Sequence, residues 1–531
     1  MKRLERCLFP RGEFLNFFVI ACLSAALSFL LIGRQVCQAN WGLIDDHEIF
    51  YFLGPDLHLP LTDVWNTLLA KTEVGSLQGR FRPGYYAAKL IEASLWGGNV
   101  HLWYLARTIG FAIFLGSIWW LLRRFVGIWL SGALTAYISL LPLWAGIWSR
   151  LGPSEVYGAI CIGIMLFGIY FIFFSDTPRT RNAGAIALTL ATIALIGMKE
   201  TFVPIAAGSA AVLILAGVRK TLSPSIIVIL MLAIIAPLVV IVVIVSKQVF
   251  AIGMDYYAGA GEGRPLIHLV GHGLLSAVKR TWWFCATPML FFGILKIMRR
   301  KPPGGWMTAS GMAVGAYGFL VAMYALQSAL YRSEFPLNSR YDFPAMLLVP
   351  LSLCVLACYV FYLTRALVAE RTTNYLQFAT AAMLFLFLAL DPAGRVNGQA
   401  LAAAVQANIE TTNAFYDELQ LVLRAAESSP AGPVILEAYG PGAYEPVFSL
   451  SSYLPALGAR NRISVRLHPD EKSHGKAYDD LEQTLARLER DGTGAFTPLK
   501  ENLSGRPHDC ISIGINGPPD AGCSGFQLNT R

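Results

Sequence analysis

Residues 14–50 read FLNFFVIACLSAALSFLLIGRQVCQANWGLIDDHEIF. The run 14–33 carries no charge and has the roughly 20 residues needed to cross the hydrocarbon layer of a bilayer. Lys2, Arg3, Arg6 and Arg11 precede it, and the run Asp45-Asp46-His47-Glu48 follows it. An apolar span with basic residues before it and clustered acids after it reads as a membrane anchor with chemistry on the far side. Val19-Ile20-Ala21-Cys22 has the look of a lipoprotein cleavage site, but the apolar run continues to Ile32, which favours an uncleaved anchor.

The rest of the chain extends this reading. Of 531 residues, 55% are hydrophobic and only 14% are charged, with a mean hydropathy of +0.52. Soluble domains carry about 25% charge, so a cytosolic enzyme is excluded, as is a disordered chain. The net charge of +8 is unevenly shared: residues 1–391 hold +12 and residues 392–531 hold −4. A basic excess confined to the apolar part fits loops on one side of a bilayer, not a nucleic-acid surface.

Eleven segments qualify as spans: 14–33, 102–122, 126–147, 157–174, 184–198, 202–217, 225–246, 279–297, 306–330, 343–363 and 375–391. The pair 184–198 and 202–217 is short and reads as a tight hairpin or two tilted helices. Basic residues alternate with the spans: Arg123–Arg124, Arg179 with Arg181, Arg219–Lys220, Lys296 with Arg299–Lys301, and Arg365 with Arg371. All fall on one side if the N-terminus is cytoplasmic. The expectation is therefore an integral protein of the inner or plasma membrane: a polytopic α-helical domain, 1–391, and an extracytoplasmic α/β domain, 392–531.

Within the tail, PVILEAY (433–439), ISVRLH (463–468) and CISIGI (510–515) read as strands, and 445–457 and 477–490 as helices. Of nine cysteines, only Cys510 and Cys523 lie in this polar part, and they make a disulfide pair if the tail faces an oxidising compartment. The first outer loop, 34–101, is too long for a connector, and its stretch LTDVWNTLLA (61–70) is amphipathic enough to lie on a membrane surface. Gly311, Gly315 and Gly318 read as close helix packing.

Five polar clusters fall on the outer side. In Asp45-Asp46-His47-Glu48, an acid serves as an N-cap for EIFYFL, as a general base, or, with its neighbours, as a divalent-metal ligand. In GRFRPGYY (79–86), Arg80 and Arg82 suit a phosphate or lipid headgroups. In WSRLGPSEVYG (148–158), Arg150 and Glu155 flank a Gly-Pro turn, and Glu155 suits a helix-dipole partner, a cap or a structural salt bridge whatever its further role. In GMKETFVP (197–204), Lys199 suits an anion at a helix start, or a pair with Glu200. In YRSEFPLNSRYDFP (331–344), Arg332, Glu334, Arg340, Tyr341 and Asp342 crowd one loop. Each is unspecific alone, and their common side is what counts. Nucleotide-binding, zinc-protease and serine-hydrolase motifs (GxxxxGK[ST], HExxH, GxSxG) are absent from the sequence.

The ordered set GLIDDHEIF, GRFRPGYY, GPSEVYG, GMKET and NSRYDFP resembles the GT-C class of integral-membrane glycosyltransferases. It is nearest to the bacterial branch of protein O-mannosyltransferase-like enzymes and lipid A aminoarabinose transferases. The resemblance covers roughly residues 14–363. It implies a polyprenyl-phosphate-linked sugar donor, a cell-envelope glycan, lipid or protein acceptor, and an extracytoplasmic site among membrane lipids. It implies an Asp of the first outer loop as base, Asp46 ahead of Asp45, with Glu155 as a second acid. It further implies Lys199, Arg340 and Tyr341 on the donor phosphate, with Arg80 and Arg82 beside them. Some relatives use a divalent metal, for which Asp45, Asp46, His47 and Glu48 are the candidate ligands. A flippase or transporter of lipid-linked sugars, or a polysaccharide polymerase or ligase, is the alternative.

Overall fold

The computed structural model describes residues 13–43, 46–54, 56–72, 81–251, 266–297, 305–331, 333–337, 339–365, 367–390, 392–439, 444–468, 497–498 and 510–528. Asp45, Arg80, Arg332 and the stretch 477–490 lie outside the described residues.

Among the described residues, the α-helices longer than five residues are α1 (Phe14–Ile32), α2 (His47–Leu53), α3 (Val64–Lys71), α4 (Pro83–Trp96), α5 (Val100–Ser139), α6 (Ser154–Phe174), α7 (Pro178–Ile196) and α8 (Ile205–Val218). They continue with α9 (Pro224–Ala251), α10 (Leu266–Arg280), α11 (Trp282–Ile297), α12 (Trp306–Tyr331), α13 (Leu348–Arg365), α14 (Glu370–Leu390), α15 (Pro392–Ser428) and α16 (Tyr444–Ala456). Long apolar runs become helices because a bilayer offers backbone groups no water, so each must be satisfied within its own segment. Among the described residues, eight helices are long and apolar enough to cross a membrane. Each of the eleven expected segments overlaps a helix, but the count of eleven is not established. The segment 279–297 is divided between the end of α10 and the 16-residue α11.

The segments 102–122 and 126–147 meet within α5, which is broken at Gly127 (φ 75°, ψ 170°). Trp119 Nε1 donates to Ile128 O at 3.1 Å, and Gly132 faces the Trp119 ring. A straight helix rising 1.5 Å per residue could not bring 119 and 132 together, so the chain reverses at Gly127. Small residues let α1 approach this pair: Ser28 Oγ donates to Thr108 O at 2.7 Å, and Ser24 lies against Gly116. Gly311, Gly315 and Gly318 do not do likewise. Among the described residues, no atom lies within 4 Å of where their Cβ would be, so the reading of a packing face there is corrected.

The contacts sort the charges into two ends of the bundle. At one, Glu13 accepts from Arg123 (2.7 Å), Arg124 (3.3 Å) and the Tyr170 hydroxyl (2.6 Å). At the other lie α2, α4, the start of α6, the 197–199 turn and the loop 333–342. In α3 and the turn before it, Leu61, Trp65 and Leu69 are exposed at four-residue spacing, the stripe expected of a surface-lying helix.

Helix α15 packs along α1, and its buried residues Leu401, Val405, Ile409, Phe415, Leu419, Val422 and Ala426 follow a helical period. Beyond it, β1 (Val434–Tyr439), β2 (Ile463–His468), β3 (Thr497–Pro498), β4 (Ile511–Ile515) and β5 (Ser524–Leu528) form one sheet in the order β3-β2-β1-β4-β5. All pairs are parallel, with Val434 opposite Ile463 on one side and Ile511 on the other. The three expected strands form its centre, and their near-continuous apolar runs suit strands covered on both faces. Cys510 and Cys523 are joined as a disulfide, Cα to Cα 4.9 Å.

Candidate functional site

The site begins with a close approach of two backbones. Pro83 opens α4, where its missing N–H costs nothing, and the next amide, Gly84 N, donates to Gly197 O at 2.9 Å. A Cβ on Gly84 would lie 2.6 Å from Ala194 O, so only glycine allows this contact. It brings Arg82 beside the turn that carries Lys199 and Glu200. These two point apart. Glu200 faces Arg82 at 3.6 Å, and Lys199 Nζ meets Glu155 Oε1 at 2.5 Å. The local Lys199–Glu200 pair allowed by the sequence is thus replaced by two pairs across loops.

The fifth cluster closes over Lys199. A helical turn Arg340–Asp342 lays the Tyr341 ring 4.3 Å from Lys199 Nζ and 5.5 Å from the Arg340 guanidinium. Arg340 is within electrostatic reach of Glu155, as Arg82 is of Lys199. Asp342 braces the loop by accepting from Leu337 N at 2.5 Å. Gln327 on α12 donates to Tyr341 O (2.7 Å) and Phe343 O (3.0 Å) and accepts from Ala345 N (2.9 Å). Three cations and the carboxylates of Glu155 and Glu200 therefore converge under an aromatic ring, with the buried Asp342 in the turn beside them.

The first cluster divides. Asp46, buried at 3% exposure, occupies the N-cap position of α2, but its side chain makes no cap. Its Oδ2 instead accepts from Gly42 N at 2.7 Å. His47 Nδ1 lies 3.0 Å from Ser449 Oγ on α16. Glu48 accepts from Lys89 Nζ and from the Tyr85 hydroxyl, each at 2.9 Å. Burial alone pushes the Glu48 carboxyl up; the Lys89 ammonium, His47 and the hydrogen bonds from Lys89 and Tyr85 outweigh it and hold the group down at about 2. Asp46, His47 and Glu48 thus turn to three different partners. Among the described residues, no three His, Cys, Asp or Glu side chains are grouped to hold a metal ion.

Tyr85 joins this loop to the cation cluster, since its hydroxyl is also 2.9 Å from Gly152 O, three residues before Glu155. Lys89 has no exposed surface. Sequence reading passed over it because it sits within an ordinary-looking amphipathic stretch. A second buried network stands behind. Arg107 grips Glu92 with two bonds of 2.7 and 2.8 Å and donates to the Tyr157 hydroxyl at 2.8 Å, while Tyr157 donates to Glu92 at 2.5 Å.

No protein-family model matches the chain, and no curated protein matches it. Among solved structures the chain is similar to ArnT from Cupriavidus metallidurans bound to undecaprenyl phosphate. The identity is 14% and the TM-score 0.43, over 92% of this chain and 90% of that one. It is likewise similar to ArnT from the same organism in the apo state, at 14% identity and a TM-score of 0.44, over 91% of each chain.

Of the residues singled out in the sequence, Arg82, Glu155, Lys199, Arg340 and Tyr341 come together. Asp46 and Glu48 join them through α2, Tyr85 and the 152–155 turn. Chemically, the cluster can hold an anion, and the adjoining loop supplies a buried carboxylate.

Proposed function

We propose that the chain is a membrane glycosyltransferase that moves a sugar from a polyprenyl-phosphate carrier to a hydroxyl of a cell-envelope glycan, lipid or protein. The observation that carries this reading is the convergence of Arg82, Lys199, Arg340 and Tyr341 from three separate loops at one end of an apolar bundle. A phosphate at the bilayer edge needs such cations, and a prenyl tail needs the lipid beside them.

In this reading the acceptor oxygen attacks the anomeric carbon while the bond from that carbon to the phosphate oxygen breaks. The electron pair of the broken bond goes to the phosphate, whose growing charge Arg82, Lys199 and Arg340 stabilise. The acceptor proton goes to Asp46. Direct displacement inverts the anomeric centre. Glu155 keeps Lys199 charged in a buried setting, and Tyr341 covers the site from water. Asp45 and Arg80 flank the same loops and are the remaining candidates for acid and phosphate ligand. The cluster end of the bundle and the disulfide-bearing unit 392–531 face the extracytoplasmic side, and the Glu13 end, with its arginines, faces the cytoplasm.

The test is native mass spectrometry of the gently purified protein, with release of carrier from synthetic undecaprenyl-phosphate sugars as its companion. Wild type is expected to retain undecaprenyl phosphate, and an Arg340→Ala, Lys199→Ala variant to lose it. Asp46→Asn is expected to bind carrier without releasing sugar. Carrier binding with no covalent transfer by wild type would favour a flippase instead.

A further inference from the structure

The C-terminal unit meets the first outer loop beside Asp46. Tyr453 on α16 is fully buried, and its hydroxyl donates to Gly42 O at 2.7 Å. The N–H of the same Gly42 is the donor that holds Asp46 Oδ2, also at 2.7 Å. The two bonds therefore fix the two peptide planes on either side of Gly42. A glycine has no side chain to hold it in place, and a Cβ there would come 3.1 Å from Asp46 Oδ2. Its orientation is thus left to its two partners. The Tyr453 ring packs 4.4 Å from Phe50 of α2 and 5.4 Å from Phe415 of α15. One turn earlier, Ser449 bonds to Leu43 O and to His47. The segment bearing Asp46 is thus gripped on both flanks by α16.

We infer that Tyr453 is a positioning residue for Asp46, which makes the C-terminal unit part of the catalytic centre. The inference rests on Asp46 being the acid of the proposed transfer. A buried tyrosine needs a hydrogen-bond partner wherever it packs, but this one takes the carbonyl of the residue that orients the carboxylate. Loss of the hydroxyl frees the second peptide plane of Gly42 and loosens the first. Misplacement of a reacting group by about 1 Å costs on the order of 100-fold in rate, and a loosened one is expected to cost about tenfold.

The test compares Tyr453→Phe with Tyr439→Phe in the full-length protein. Tyr439 belongs to the same unit, and its hydroxyl bonds Pro518 O at 3.0 Å, within that unit. Turnover is read with whichever donor, from a panel of synthetic undecaprenyl-phosphate pentoses and hexoses, wild type uses fastest. For Tyr453→Phe we expect kcat down about tenfold, affinity for undecaprenyl phosphate within twofold of wild type, and faster hydrogen exchange in the peptide over 40–50. Tyr439→Phe should match wild type in all three. If Tyr453→Phe does not fold, Ser449→Ala, which removes the neighbouring bond from α16 to Leu43 O, tests the grip of α16 on the same segment, with the same outcomes expected. Equal losses in both tyrosine variants, or an unchanged kcat in Tyr453→Phe while Asp46→Asn is inactive, overturn this inference alone. A fully active Asp46→Asn overturns the acid assignment and this inference with it.

Discussion

Lys199 and Glu155 are 44 residues apart in the chain, yet their charged atoms meet at 2.5 Å with both side chains 2% exposed. Taking two ions out of water costs more than their attraction usually returns, so the pair is poorly explained by stability alone. It is well explained as the means of keeping an ammonium charged next to an apolar bundle.

Glu155→Gln is therefore expected to be costly twice over. Lys199 is left buried without its counter-charge, which destabilises by about 3–5 kcal/mol. A Glu155→Gln, Lys199→Met double variant should recover most of the thermal midpoint and none of the transfer. Midpoints in detergent and carrier release, measured side by side, separate the two effects.

Arg82 and Arg340 should matter for the carrier more than for the fold. Hydrogen bonds to charged groups contribute about 1.5–3 kcal/mol, or roughly 10- to 100-fold in affinity. Each alanine variant is expected to weaken undecaprenyl phosphate binding by that factor. Arg82→Lys should recover only part, because an ammonium lacks the planar fork of a guanidinium.

The Glu48–Lys89 pair gives a pH dependence with a definite sign. The folded carboxyl titrates at about 2, below its ordinary 4.5. Its contribution to stability is therefore complete above about 4.5 and is lost as the pH falls toward 2. In Glu48→Gln this part of the acid sensitivity should vanish. Thermal midpoints of both proteins across pH 2–6 would check it, and parallel curves would count against the pairing.

Cys510 and Cys523 close a loop of 13 residues, and removing such a link costs about 2–3 kcal/mol. Non-reduced protein should leave both thiols unlabelled, and a Cys510→Ser, Cys523→Ser variant should lower the unfolding midpoint of the C-terminal unit. Labelling of both in the untreated protein would refute the pairing.

Much of this was legible in the sequence for identifiable reasons. Span positions follow from apolar runs alone, the common side of the five polar clusters followed from charge alternation between loops, and the grouping of Arg82, Lys199, Arg340 and Tyr341 was implied by the family resemblance. What escaped was whatever depends on partners distant in sequence. Lys89 looks like one charge on an amphipathic helix until Glu48 is placed against it. Gln327 is a lone amide in an apolar helix until three backbone groups of the next loop reach it. Helix α15 was missed although Leu401, Val405 and Ile409 announce it, because its alanine-rich, weakly charged stretch resembles neither a span nor a strand. The glycines of α12 show the converse, since spacing alone cannot tell a packing face from an open one.

The reversal at Gly127 also bears on how the chain is made. With no loop between its arms, α5 has nowhere to pause between one crossing and the next, so the two halves would have to enter the bilayer together as one hairpin. Gln377 Oε1 stands 2.6 Å from where a Cβ on Gly127 would lie, and the backbone there takes a conformation closed to other residues. Gly127→Val would then show itself less as a softer protein than as one whose later segments are threaded the wrong way during synthesis.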